Sequence, residues 1–237
     1  NGNSISLQQI IHPDLNMNSI QFSRIAVHQE VTYSPRLSNR KIQLSQRYLK
    51  DVNHISLNES FDKTSQFYSG RMEDAIKRNL TVSGLTSWSR NDVVSSNSAS
   101  ERYVNSTFFE NGLRWRMSKR FEWGGDIRFG FDSGQNSIEK FETTLFGLGI
   151  QSKLFSNKSG RIQSSVDWYS VTSPVQLASS LPPEAAQGNL IGENLKLTIT
   201  GILQFENNLS STLNVFYLKD SLHDGVFSFT GELSASF

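Results

Sequence analysis

Three polar side chains with the chemistry of a hydrolytic site lie close together near residue 55. His54, Ser56 and Asn58 occupy alternate positions, so an extended backbone would place them on one face. A histidine can take the proton of a serine hydroxyl and an asparagine can orient the imidazole, which allows nucleophilic hydrolysis. A triad is recognised by geometry rather than by spacing, and no supporting motif surrounds these residues. Polar residues facing a lumen are therefore the favoured interpretation.

Charged side chains form a second candidate site in two consecutive segments, 109–117 and 121–131. One face of each segment is aromatic and aliphatic, and the opposite face is polar. The charged positions on the polar faces are Glu110, Arg114, Arg116, Glu122, Asp126 and Arg128. Because charges in an interior must find partners, we expect these six residues to pair across adjacent strands and fill a narrow lumen. The alternative hypothesis is a selective pore or a ligand-binding site.

Composition limits the remaining chemistry. The chain has 237 residues and no cysteine, which excludes disulfides, thiol chemistry and cysteine-based zinc sites. Asp220, His223 and Asp224 lie in one loop, but three ligands without a defined spacing are a weak metal signal. We therefore expect no metal and no cofactor. The net charge of +1 gives no basic patch for a polyanion, so no nucleic-acid partner is predicted.

Long alternating strands are the elements that would position these side chains. From Leu195 to Glu206 the odd positions are apolar over about eleven residues, the length of a tilted strand that crosses a bilayer. A soluble strand is usually about five or six residues long. The chain contains eleven such segments after residue 22, and residues 1–22 hold a possible twelfth or an N-terminal extension. Because bacterial barrels have an even number of strands, we predict twelve strands, with ten as the fallback.

The region 41–77 is the least regular part of this pattern. Residues 41–49 alternate and predict a strand that ends at Lys50–Asp51. Residues 55–61 alternate again and predict the next strand. Residues 62–77 lack clear alternation, which predicts a longer turn or a short helical piece around Met72.

The connections between segments alternate in length. They are short around Ser118, Asn157 and Asn207, and longer at 91–100, 132–137 and 171–194. Short turns at one end and long loops at the other are typical of outer-membrane barrels rather than of soluble β-sandwiches. The C-terminus falls on the short-turn side, which predicts a periplasmic C-terminus. Aromatic residues near strand ends favour interfacial girdles at Trp88, Trp115, Trp123, Trp168, Tyr48, Tyr169 and Tyr217.

The last segment carries the most specific pattern in the chain. Apolar residues occupy alternate positions up to a terminal phenylalanine: Phe227, Phe229, Gly231, Leu233, Ala235 and Phe237. This strand resembles the C-terminal strand of bacterial outer-membrane β-barrels. The resemblance implies that the barrel assembly machinery recognises Phe227, Phe229, Leu233 and Phe237. It specifies a class of protein and no particular family.

We therefore predict an all-β chain that forms one domain, 1–237, a transmembrane antiparallel up-and-down β-barrel of the bacterial outer membrane. The predicted function is non-enzymatic: a membrane anchor or structural component of a surface or envelope assembly. Its predicted partners are outer-membrane lipid, the barrel assembly machinery and other envelope subunits. The alternatives are a small porin or ligand transporter, a lipid-active enzyme, and a soluble β-sandwich binding module.

The enzyme alternative depends on His54 and Ser56. Their His-x-Ser spacing is similar to that of outer-membrane phospholipase A, a twelve-stranded barrel. In that family the pair faces lipid, whereas here the apolar residues Ile55 and Leu57 take the apolar face.

Overall fold

The computed structural model describes residues 2–11, 21–33, 39–56, 59–95, 101–136, 139–156, 160–174, 181–204 and 209–235. Nearly all of them lie in strands. The strands are β1 (Gly2–Ile11), β2 (Gln21–Tyr33), β3 (Arg40–Ser56), β4 (Glu59–Lys77), β5 (Leu80–Ser95), β6 (Arg102–Arg116), β7 (Phe121–Gln135), β8 (Lys140–Ser156), β9 (Gly160–Thr172), β10 (Gly192–Gln204), β11 (Leu209–Lys219) and β12 (Val226–Ala235). One 3₁₀ turn, Ala185–Gly188, lies between β9 and β10.

The twelve strands form one sheet in sequence order, and each strand pairs with the next in antiparallel fashion. This arrangement confirms the predicted all-β, up-and-down barrel architecture of about twelve strands. Within residues 1–22, where a strand or an N-terminal extension was predicted, residues 2–11 form β1. Among the described residues, β1 and β12 are not paired with each other. Strand lengths run from 10 residues in β1 and β12 to 19 in β4, which is sufficient to cross a bilayer.

The prediction for residues 41–77 is wrong in its boundaries. β3 continues through Lys50–Asp51 to Ser56, and β4 covers the whole of 59–77, where a turn or helical piece was expected. The reason is that both faces of β4 carry polar side chains, so the sequence shows no alternation. Pairing with β3 and β5 along most of its length makes this segment a strand, since tertiary contacts override local pattern.

The two faces of the sheet differ as the alternation predicts. In β7 the odd positions are exposed or half-buried on the outer face, and the even positions turn toward the lumen. The outer face of β6–β9 forms an exposed apolar band: Phe109, Leu113, Trp115, Trp123, Ile127, Phe129, Phe131, Leu148, Ile150, Leu154, Ile162 and Val166. No helix in the described part of the chain is long and apolar enough to span a membrane.

The strand ends define two ends of the barrel. The short-turn end carries the connections after β4, β6, β8 and β10, such as 78–79 and 117–120. The long-loop end carries the longest connection, residues 173–191, although the link from β3 to β4 at this end spans only residues 57–58. Trp115 and Trp123 face each other across β6 and β7 next to the short-turn end. Tyr169 is only 8% exposed and faces the lumen, so it belongs to no girdle, because its neighbour Trp168 takes the outer face.

Candidate functional site

The predicted hydrolytic residues lie at the long-loop end. His54 and Ser56 end β3, and the register of the β3–β4 pairing shifts between them. Asn58 lies outside the described residues. The side chains of His54 and Ser56 are likewise outside the described part of the structure. The described residues contain no group of three histidine, aspartate or glutamate side chains that can hold a metal ion.

A cluster around Arg128 occupies the lumen midway along β6–β9. The Arg128 Nη1 donates a 2.7 Å hydrogen bond to Oδ1 of Asp167 and another to the hydroxyl of Tyr169. Its Nε lies 3.3 Å from Oε2 of Glu110 and 2.6 Å from Oδ2 of Asp126. We call these five residues the Arg128 cluster. It gathers three carboxylates around one guanidinium whose side chain is only 16% exposed.

Glycines on β8 leave room for this cluster. A Cβ atom at Gly149 would lie 2.6 Å from Oδ2 of Asp126, and one at Gly147 would lie 2.8 Å from Cδ1 of Tyr169. Both glycines sit directly opposite the residue they accommodate. Asp126 Oδ2 is buried and accepts no hydrogen bond from the described residues, so its contact with Arg128 is electrostatic. Space at Gly149 therefore fixes where that carboxylate lies.

Substitution of Gly149 tests this close packing. Gly149→Ala is expected to reduce the free energy of unfolding by about 1–3 kcal/mol, because the added methyl group displaces the Asp126 carboxylate. Gly201→Ala is a matched control, since its Cβ would meet nothing closer than 3.9 Å. Urea unfolding of both variants in detergent measures the difference. Equal stability of the two variants would contradict this account of Gly149.

The remaining predicted charges lie nearer the short-turn end. Arg114 Nε lies 3.4 Å from Oε1 of Glu122, and Lys153 Nζ lies 3.8 Å from the same oxygen. Arg116 is exposed at the end of β6 and makes no ion pair among the described residues. Of the six predicted residues, three therefore meet in the Arg128 cluster, two form a separate pair, and Arg116 stays apart.

Beyond residue 174, the connection between β9 and β10 is described from residue 181 onward, and this part turns into the lumen. We call residues 181–191 the inward loop. Its Glu184 accepts a 3.1 Å hydrogen bond from Lys63 of β4 and hydrogen bonds of 3.2 and 3.3 Å from Arg102 of β6. The Glu184 side chain is only 10% exposed. One carboxylate thus ties the loop to two strands of the wall.

The inward loop is also held by Asp132 of β7. Its Oδ2 accepts hydrogen bonds from the backbone N–H of Ala186 at 2.7 Å and from the hydroxyl of Thr143 at 2.9 Å. At this point Ala186 and Gln187 have φ angles of 47° and 53°, in the left-handed region that residues with a side chain rarely adopt. Such a backbone persists only where surrounding contacts hold it.

Apolar contacts seat the tip of the loop. Ala185 and Ala186 are fully buried against residues on the lumen faces of β6, β8 and β9. Those residues are Val104, Phe108, Phe141, Leu145, Tyr169 and Val171. The most buried apolar side chains of the described chain therefore lie inside the barrel, at its long-loop end.

Sequence reasoning missed Asp132, Asp167 and the role of Glu184. The available signal was composition. The stretch 181–188 contains one leucine, two prolines and two alanines, unlike the Ser/Asn-rich stretch 91–100, and apolar residues in a long connection indicate burial.

Charge pairing changes the acidity of Glu184. Burial alone would raise its pKa, but the hydrogen bonds from Arg102 and Lys63 outweigh burial, and the pKa is lowered. A carboxyl group whose pKa is lowered in the folded state stabilises that state above its ordinary pKa, here 4.5. Its contribution is lost as the pH falls below 4.5 and through the lowered value.

Acid is therefore expected to loosen the inward loop. Conductance across planar bilayers should rise as the pH falls below 4.5, because protonated Glu184 no longer pairs with Lys63 and Arg102. The Glu184→Gln variant is the control, since it carries no carboxyl group at this position. An equal acid response in both proteins would show that other groups control the effect.

The predicted assembly-signal residues lie on the exposed strand β12. Phe227, Phe229 and Leu233 share the outer face and are 65%, 64% and 69% exposed. Phe237 lies outside the described residues. The aromatic residues of this strand are therefore accessible on the outer face of the sheet.

No protein-family model and no curated protein sequence matches this chain. Its fold is similar to solved structures at low identity. The β-domain of the Bordetella autotransporter BrkA aligns with a TM-score of 0.50 and 9% identity, over 99% of this chain and 97% of that one. The ferric-catecholate import receptor Fiu of E. coli K12, in its open form, aligns with a TM-score of 0.55 and 12% identity, over 92% of this chain and 50% of that one.

Identities of 9% and 12% bear on the fold alone. Both proteins are outer-membrane β-barrels, which is the class that the terminal strand of this chain predicts. The exposed apolar band on the outer face agrees with that environment. The chain has the fold of the bacterial outer-membrane β-barrel class, which supports the predicted location in the outer membrane.

Proposed function

We propose that this chain is a structural barrel that anchors a surface or envelope assembly in the outer membrane, and that it is not an enzyme. The observation that carries the proposal is the inward loop. It lies in the lumen, which a conducting pore would keep open. It is bound to β4 and β6 through Glu184 and to β7 through Asp132. A loop that is tied to the strands inside the lumen favours a structural role over passage of solutes.

The charges of the lumen support the same role. Arg128 is surrounded by Glu110, Asp126 and Asp167, and Glu184 by Lys63 and Arg102. Charges that neutralise each other in this way hold strands together, whereas a selective pore requires charges that remain available to passing ions.

Three kinds of partner follow from this role. Outer-membrane lipid would cover the apolar band, and the barrel assembly machinery would recognise β12 through Phe227, Phe229 and Leu233. Other envelope subunits would be held at the surface by the anchored chain. The exposure of the β12 side chains on the outer face supports the second of these interactions.

Conductance in planar bilayers tests the proposal. The refolded protein should give no steady open-channel current at neutral pH. Gel mobility of boiled and unboiled samples provides the folding control, because a closed barrel in detergent migrates differently after heating. Large, stable channels from folded protein would instead establish the porin alternative.

The enzyme alternative has its own test. Lipid hydrolysis by the folded protein, compared with Ser56→Ala, measures whether Ser56 acts as a nucleophile. We expect no turnover from either protein. Turnover that disappears in Ser56→Ala would replace the anchoring role by a catalytic one.

A further inference from the structure

A cavity of about 470 Å³ lies along the half of the wall that the inward loop leaves uncovered. It is lined by residues of β2–β5, and those that face the lumen include His28, Arg47, Leu49, Lys63, Phe67 and Ser89. We call it the basic cavity. The volume falls within the range of small-molecule sites in proteins.

Cations dominate this cavity. Arg47 lies directly opposite His28 on β2 and Phe67 on β4. Its side chain is exposed to the lumen and makes no ion pair among the described residues. No acidic side chain is among the described residues that line the cavity. Arg128, by contrast, has three carboxylates around it.

Lys63 shows that a cation on this part of the sheet can bind a carboxylate. It borders the cavity and lies 3.1 Å from Glu184 Oε1 of the inward loop. Glu184 reaches only the Lys63 side of the cavity, and Arg47 lies beyond it on β3. The cation at Arg47 is therefore available to a second anion.

Apolar and hydroxyl groups complete the lining. Phe67 is 37% exposed and Leu49 is half-buried, which gives a ring or carbon chain a surface to lie on. The hydroxyl groups of Ser45, Ser65 and Ser89 and the amide of Asn91 supply hydrogen-bonding groups around it. The cavity therefore combines two apolar side chains with hydrogen-bonding groups and the cations of Arg47 and Lys63. Convergent polar groups of this kind fix the orientation of a small ligand.

We propose that the basic cavity binds a small organic anion of about monosaccharide size. Its carboxylate or phosphate group pairs with the guanidinium of Arg47, and its ring lies against Phe67. Arginine suits this task because its planar fork binds carboxylate and phosphate in bidentate fashion. This site goes beyond the anchoring role, since binding requires no passage through the barrel.

Calorimetric titration of the folded chain in detergent tests the proposal with four probes. Glucuronate carries a carboxylate on a sugar ring, glucose 6-phosphate carries a phosphate on the same ring, inorganic phosphate lacks the ring, and glucose lacks the charge. We expect at least one sugar anion to bind at concentrations up to about 10 mM, and glucose to bind at least about tenfold more weakly. Binding of one sugar anion alone identifies the anionic group, and binding of inorganic phosphate as tightly as either sugar anion would overturn the role of Phe67.

Substitution of Arg47 completes the test. Arg47→Gln should weaken binding of the sugar anion by about tenfold or more, because a charge-assisted pair is lost. Arg71→Gln is the matched control, since Arg71 also faces the lumen from β4 but already pairs with Glu73 at 2.9 Å. Equal affinity of the wild type and Arg47→Gln, or failure of both sugar anions to bind, would overturn the proposal. The comparison of sugar anions with glucose in the wild type decides it even if Arg47→Gln does not fold.

Discussion

Replacing Arg128 by glutamine is expected to reduce the free energy of unfolding by about 3 kcal/mol or more. The substitution leaves Glu110, Asp126 and Asp167 facing one another without their common cation. The side chains of Asp126 and Asp167 are only 7% and 19% exposed, so water cannot replace the lost contacts fully. Removing one partner of a buried pair leaves an uncompensated charge, which costs more than the pair itself contributes. Urea unfolding in detergent measures the loss.

Two further variants isolate the cause of this loss. Arg114→Gln also removes a lumen arginine, but Arg114 is 42% exposed and Glu122 keeps Lys153 as a partner. We expect it to cost less than about 1 kcal/mol. Adding Asp126→Asn and Asp167→Asn to Arg128→Gln should recover much of the lost stability, because the two carboxylates that lost their cation are then replaced by neutral amides. If Arg128→Gln is no less stable than Arg114→Gln, the Arg128 cluster does not hold the strands together.

Glu184→Gln is expected to release the inward loop and to raise conductance at neutral pH. The variant loses the charge that pairs with Lys63 and Arg102, whose side chains are 32% and 26% exposed. Because these partners are partly hydrated, the cost to stability should be about 2 kcal/mol, less than for a fully buried pair. Bilayer recordings should therefore show openings that the wild type lacks.

Glu193→Gln is the control for this experiment. Glu193 lies just beyond the inward loop, is exposed, and makes no ion pair among the described residues. It should leave both conductance and unfolding unchanged. If Glu184→Gln gives no more conductance than Glu193→Gln, then the buried contacts of Ala185 and Ala186 hold the loop without the ion pairs, and the account of Glu184 is wrong.

Much of the fold follows from alternation along the chain. In β7 and β10 one face is apolar and the other polar over most of the strand, so both the strand and its outer face were predictable. β4 was not, because polar residues occupy both its faces and only pairing with its neighbours makes it a strand. Alternation identifies a strand only where its two faces differ in polarity, and it gives no signal where both faces are polar.

The side-chain contacts inside the lumen were less predictable than the strands that surround it. Glu110, Asp126 and Arg128 lie on the polar faces of two consecutive strands. Because consecutive strands of a hairpin pair directly, the sequence indicated that these residues would meet. Asp167 lies three strands from Glu110, and Glu184 meets Lys63 across 121 residues of sequence. Contacts of that range depend on sheet curvature and on the path of a loop, which local pattern does not encode.

The inward loop covers one side of the lumen at the long-loop end of the barrel. It packs against the lumen faces of β6–β9 there and leaves those of β2–β5 beside the basic cavity. At that end the backbone amides of β6–β9 are therefore shielded on both sides, by lipid and by the loop, whereas water reaches one side of β2 and β3. Hydrogen–deuterium exchange should be slowest in β6–β9, and β2 and β3 should open first when the barrel begins to unfold.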